Sequence, residues 1–167
     1  LLLTSYDHDE IRQEIADELS GGRYDLVHIE PWYVWPSLPA TTVPMVVATH
    51  NIEYTVYTEY VRRFRFVMLR PGYYWDVLKL RRWEERVWKR ASHVVAVSED
   101  DARVIRKHVG SDSSVHVVPN GVDVASFRFE IKKSGGPPVF LFIGSFMWMQ
   151  NRDAAAWLVK SIWPTLR

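Results

Sequence analysis

Five short apolar runs constrain this 167-residue chain most, because each has the length of a strand rather than a helix and is bounded by turn-forming residues. They are Asp25–Glu30 (D-L-V-H-I-E), Met45–Thr49 (M-V-V-A-T), His93–Val97 (H-V-V-A-V), Val115–Val118 and Val139–Ile143. Met45–Thr49 is nearly continuous in apolar character, as in a parallel sheet buried on both faces. Between the runs the period becomes helical. Ile11, Ile15 and Leu19 share one side of Asp7–Leu19, which Ser20-Gly21-Gly22 ends. Leu80, Trp83 and Val87 share a side of Tyr73–Ala91, and Pro71-Gly72 should break the chain before it, after a weakly helical Ile52–Phe66. Ser98, with acids behind it, opens a helix to His108. A last helix over Asn151–Leu166 turns Ala155, Leu158, Val159 and Ile162 inward, while the proline-rich, aromatic Pro31–Pro44 is a stiff loop with room for one helical turn. Strands alternating with helices predict an α/β fold, a Rossmann-like, doubly wound parallel sheet with right-handed crossovers.

A seam interrupts this alternation. The run V-H-V-V-P-N-G-V-D over Val115–Asp123 stops at Pro-Asn-Gly, and Val124–Pro138 then carries Lys132, Lys133, Ser134, Gly135, Gly136, Pro137 and Pro138, a linker composition. The expected organisation is residues 1–124 as one unit, 125–138 as a hinge linker and 139–167 as the first βα unit of a second domain. One strand and one helix cannot bury both their faces alone, so 139–167 should pack on the first portion or on another copy of the chain.

Several function classes are excluded early. Without cysteine there is neither a disulfide framework nor a thiolate site, which also allows a reducing compartment. A formal charge of +1 argues against nucleic acid as a partner. No apolar run approaches the roughly 20 residues that span a bilayer, and Leu1–Leu3 is too short for a signal segment. A start at Leu-Leu-Leu and an end just after a helical pattern look like a piece of a longer protein.

In open α/β sheets ligands bind beyond the carboxyl ends of the strands. The residues there are Glu30, His50-Asn51, Ser98-Glu99, Asn120-Gly121 and Gly144-Ser145. Several precede helices, whose free N–H groups favour phosphate. Each has a plain structural alternative: Ser98 as a helix cap, Asn120-Gly121 as a turn, Gly144 as a strand terminator. His50 is the best catalytic candidate, since imidazole at a strand end can orient a reacting hydroxyl; a structural histidine is the alternative. His28, His93 and His116 lie within strands and His8 and His108 at helix ends, with no spacing that suits a metal.

The stretch Arg62–Arg90 holds ten Lys or Arg against Asp76, Glu84 and Glu85, interleaved with aromatics. Arg62, Arg63, Arg65, Trp75, Arg81 and Arg82 are candidates for contact with anionic lipid headgroups. The alternative is a helix whose aromatics fill the core beneath a solvated basic face.

Four segments carry a family likeness: T-H-N at Thr49–Asn51, V-V-A-V-S-E at Val94–Glu99, V-V-P-N-G-V-D at Val117–Asp123 and F-I-G-S-F-M-W-M-Q-N-R-D-A-A-A-W at Phe142–Trp157. In this order they resemble the nucleotide-sugar-dependent glycosyltransferases of the group 1 kind, family 4, from about Tyr24 to Arg167. The resemblance implies the GT-B architecture, two Rossmann-like domains facing across a cleft, with this chain as a partial GT-B: the end of the acceptor-side domain and the start of the donor-side domain. It implies that His50 lies beside the transferring sugar, and that Asn51, Ser98, Glu99, Asn120, Gly121 and Asp123 line the cleft. Gly144 matches the glycine that begins the donor-side phosphate loop. Many relatives follow it with an Arg and, six residues on, a Lys; here Ser145 and Asn151 stand there, with Arg152 one residue later, a form that a subset of the family carries.

The implied reaction is retaining transfer of a sugar from a nucleotide-sugar donor to a glycan or lipid-linked acceptor, with no metal and no cofactor. The expected location is cytoplasmic, with peripheral contact at the inner membrane face. The glycine-rich acceptor loop and the acidic donor motif of such enzymes are not in this sequence, so the chain alone is expected to be inactive and to self-associate. Two other readings stand beside this one: a nucleotide-sugar epimerase of the same architecture, and a non-catalytic membrane-surface module.

Overall fold

Four of the five apolar runs pair into one sheet, in a computed structural model that describes residues 8–110, 114–127 and 139–166. Strands β1 (Val27–Ile29), β2 (Met45–Thr49), β3 (His93–Ala96) and β4 (Val115–Val117) are parallel and lie side by side in chain order. The register sets His28 opposite Val46, Val46 opposite His93 and Val95 opposite His116. Because the order never reverses, right-handed crossovers carry the connecting helices to one face. Ile29, Val47, Val94, Ala96 and Val115 are buried on that face, whereas His28, His93 and His116, pointing the other way, are exposed. Among the described residues the sheet is therefore wound on one side, not doubly as its apolar runs suggest. Val46 and Val95 lie half-buried on the open face, which is why the runs look continuous.

Helix α1 (Asp9–Ser20) ends at Gly21-Gly22, where Gly22 takes a φ of 64° that suits glycine. It is fastened by its N-terminal end to the 3-10 turn Trp32–Ser37: Arg12 Nη2 donates to the Pro36 carbonyl at 2.8 Å, and the His8 N–H to Ser37 Oγ at 3.2 Å. The turn itself buries Trp32 and Trp35 against Ile29, Val47 and Val87.

Helices α2 (Glu53–Arg63) and α3 (Arg70–Arg90) form a hairpin joined by the 3-10 turn Val67–Leu69. Pro71-Gly72 does not break the chain; it sits in the first turn of α3, where a missing N–H costs nothing and the fixed φ of proline is already helical. The far end of α3 buries Val87 and Trp88, and α4 (Glu99–Arg106) covers β3 and β4 with Ala102 and Ile105.

One buried charge ties this layer together. Ile52 precedes α2 and has no side chain able to cap it, so the first amides of the helix need another acceptor. Glu84 of α3 supplies it: its Oε1 accepts the Glu53 N–H at 2.9 Å and its Oε2 the Tyr54 N–H at 3.1 Å. The side chain is fully buried, and burial outweighs the two hydrogen bonds to push the carboxyl up to about 7.

The chain divides into two compact units, 1–122 and 123–167. The proposed linker 125–138 lies outside the described residues from 128 onward. In the second unit Val139–Ile143 forms no strand, and Val139 and Ile143 are 82% and 84% exposed. A strand needs a ladder partner, and the described residues of this unit offer none. Its helix runs as α5 (Met149–Trp157), one π-type turn (Leu158–Ile162) and α6 (Trp163–Leu166). Pro164 explains the irregular turn, since its ring cannot accept the regular bond pattern one turn back. The extra residue per turn also shifts the helix phase. Ala155, Leu158 and Ile162 are half-buried as the period predicts, but Val159 is exposed.

Glu84 gives the first unit a pH signature. Its folded pKa lies above the free value, so the stabilisation it carries is complete below about 4.5 and is lost as pH rises through about 7, on the order of 3 kcal/mol in all. Denaturant titrations of E84Q, which has no charge to desolvate, are expected to flatten that dependence between pH 5 and 8. An unchanged slope would place the titration elsewhere.

Candidate functional site

Parallel strands bring their carboxyl ends to one edge, and the first unit collects Glu30, His50, Asn51, Ser98, Asn120 and Gly121 there. Thr49, buried, fixes the end of β2 by donating its Oγ1 to the Val95 carbonyl at 3.1 Å. The next residue, His50, is thereby held at the rim. Strand alternation puts His28 and Glu30 on one face of β1, and His50 shares that face of β2 by its parity with Val46.

His50 Nε2 donates to Glu30 Oε1, and His28 Nε2 lies 3.4 Å from Glu30 Oε2. The His50 bond is the main cause that draws the Glu30 carboxyl below its ordinary range, against a smaller opposing effect of burial. With Nε2–H committed to a carboxylate, Nδ1 of His50 becomes the nitrogen able to take a proton. This is an oriented imidazole on a half-exposed rim. Strand parity carried the signal for His28 and Glu30; placing His28 within a strand did not reveal that it reaches the same carboxylate.

The other predicted residues behave differently from one another. Ser98 caps α4: its Oγ accepts the Asp101 N–H at 3.1 Å and donates to Asp101 Oδ2 at 2.7 Å. Glu99 pairs with Arg106. Asn51, Asn120 and Gly121 are solvent-exposed, and a Cβ on Gly121 would meet nothing within 4 Å, so no steric demand explains that glycine.

The expectation that helix N-termini at this edge attract phosphate does not hold for the first unit. Glu84 occupies the Glu53 and Tyr54 amides of α2, and in α4 Ser98 takes the Asp101 amide while Glu99, Asp100 and Asp101 fill the first turn with negative charge. Both positive ends thus stand beside carboxylates of the chain itself, which disfavours a further anion. The edge is left with an imidazole, a carboxylate and exposed amides, groups that hydrogen-bond to hydroxyls.

The remaining candidates lie in the second unit. Asp123 caps the short turn Val124–Ser126, accepting the Ala125 N–H at 3.0 Å and the Ser126 hydroxyl at 2.6 Å, bonds that draw its carboxyl down. Asn151 Nδ2 donates to the Ser145 carbonyl at 3.0 Å. A Cβ on Gly144 would stand 3.1 Å from Asn151 Cγ, a tight contact that the Asn151 side chain would have to relieve by shifting. Arg152 is exposed, and Trp148, which precedes α5, gives that helix no side-chain cap.

Of the lipid-facing candidates, Arg62 pairs with Glu59 at 3.2 Å and Trp75 is exposed. Arg81 is bonded to Glu85 at 2.6 Å and lies over the Tyr54 ring, and Arg82 is exposed further along α3. Trp32, Tyr33, Glu53, Tyr57 and Leu80 line a shallow depression too small to serve as an ordinary small-molecule site. Among the described residues no helix is long and apolar enough to cross a membrane.

The first unit's four-stranded parallel sheet with covering helices is a Rossmann-like α/β fold, consistent with part of a GT-B domain. The family model for Glycosyltransferase Family 4 matches residues 5–126, and the chain belongs to that family. No curated protein and no solved structure matches it.

The Glu30–His50 pair makes a specific titration prediction. Glu30 holds its charge to lower pH than a free glutamate, so the stabilisation from the pair is present above the ordinary value and fades as pH falls through the lowered one. His50→Ala should return the Glu30 carboxyl to the ordinary range in carbon-detected NMR. A titration that does not move would mean that the pair does not form.

Proposed function

We propose that this chain supplies the acceptor-side part of a retaining glycosyltransferase that takes a sugar from a nucleotide-sugar and passes it to a glycan or lipid-linked acceptor. The supporting observation is the Glu30–His50 pair at the carboxyl edge of a family 4 domain whose α2 and α4 N-termini already stand beside the chain's own carboxylates. Such an edge suits sugar hydroxyls rather than a diphosphate. In this reading Glu30 orients His50, His50 Nδ1 faces a hydroxyl of the transferring sugar, and Asn51, Asn120 and Gly121 line the same wall.

The donor diphosphate belongs to the second unit, at the loop Gly144–Ser145 ahead of the uncapped α5. Ser145 and Asn151 bond each other there, which leaves Arg152 as the nearby cation. The reaction proceeds without a metal, in the cytoplasm. With no strand among its described residues, the second unit offers no formed sheet edge, and the chain by itself does not complete a transfer. The bare apolar run Val139–Ile143 favours self-association.

Amide NMR of the full chain against a panel of nucleotide-sugars and free sugars tests this. Millimolar-range shifts at Glu30, His50, Asn51, Asn120 and Gly121 are expected, weakened by His50→Ala. Shifts confined to other surfaces would overturn the assignment of the edge. A labelled-sugar transfer assay is expected to give no product, and product would overturn the claim of incompleteness.

A further inference from the structure

The tip of the α2–α3 hairpin is unlike the rest of the first unit. From Arg62 to Trp75 the sequence is R-R-F-R-F-V-M-L-R-P-G-Y-Y-W, with four arginines and no acidic residue. The same fourteen positions turn their apolar side chains outward: Met68 is 94% exposed, Phe66 59% and Trp75 57%, with Val67, Leu69, Tyr73 and Tyr74 also exposed. The core reading of this basic-aromatic stretch is right for its far end, where Trp88 is buried, and fails for its tip.

The exposure is built rather than left over. Arg70 grips the Phe64 carbonyl with both Nε and Nη2, at 3.1 and 2.9 Å, which closes the turn between the helices. Phe64 stacks edge-on against Tyr73 at 4.9 Å and Phe66 at 5.9 Å, forming an aromatic base. Upon that base Val67–Leu69 stands as a convex knuckle with Met68 at its apex, and the Arg65 guanidinium lies over the Phe66 ring.

We infer that this knuckle docks on the surface of an anionic bilayer. A convex apolar tip ringed by arginine fits the headgroup boundary, where Met, Phe, Tyr and Trp enter the acyl edge and guanidinium groups pair with phosphates. Charge complementarity favours lipid over a second copy of the chain, because two copies meeting tip to tip would set the acid-free, arginine-bearing stretch 62–75 against itself. Arg81 and Arg82 lie outside this surface because they belong to the next turns of α3, beyond the tip. The inference does not depend on the proposed reaction, since it uses no residue of the strand edge.

Vesicle co-sedimentation of the full chain tests it, with phosphatidylcholine alone and with about a third phosphatidylglycerol. Binding is expected only to the anionic vesicles and should collapse near 0.5 M salt, where screening shortens to a few Å. The double variant R62Q/R65Q should weaken partitioning about 25-fold, roughly five-fold per arginine. M68D should weaken it about ten-fold or more. These side chains are exposed, so thermal unfolding should stay at the parent midpoint and show that the variants fold. Equal binding to neutral vesicles, no binding, or binding untouched by the variants would overturn the inference. So would a lipid-free dimer that M68D dissociates in analytical ultracentrifugation, which would assign the knuckle to a second copy.

Discussion

Parallel pairing in chain order is the constraint on which the first unit rests. It obliges each connection to cross the same face of the sheet, and so gathers α2, α3 and α4 into one layer over Val47, Val94 and Ala96. It also aligns four carboxyl ends, which makes a rim of residues far apart in sequence. Glu30 and His50 meet because β1 and β2 are neighbours with matched register. The opposite face, with His28, His93 and His116, is the cost of the same order: no crossover among the described residues passes over it.

The covering layer and the rim are linked through Glu84. By accepting the first amides of α2, this buried carboxylate sets the start of the helix three residues beyond His50. The same contact removes an anion site from the rim. Ser98 and the acidic first turn of α4 do so at the neighbouring strand end. Local helix capping therefore decides what chemistry the edge can host, and it is the ground on which we propose hydroxyl recognition for the first unit.

Much of this was legible in the residues. Met45–Thr49 forms its strand at the bounds its apolar run suggests, Ser98 caps the helix it precedes, and the family likeness is matched by the model over 5–126. What escaped depended on partners distant in sequence. Nothing near Glu84 announces that it caps a helix begun 31 residues earlier, since the signal is the missing cap at Ile52. Pro71-Gly72 looks like a break unless the helix starts just before it. Val139–Ile143 has the composition of a strand, yet composition cannot supply a partner strand. The aromatic and basic residues of Arg62–Arg90 divide between core and tip only once the hairpin is formed.

Hydrogen–deuterium exchange resolved by residue tests the central claim, that one ordered parallel sheet organises the first unit and that the described residues of the second form none. The account predicts slow exchange, limited by global unfolding, in Val46–Thr49 and Val94–Ala96 at the centre of the sheet, with Val139–Ile143 exchanging at the rate of free chain. Protection across Val139–Ile143 equal to that of the central strands, or rapid exchange in those strands, would contradict it.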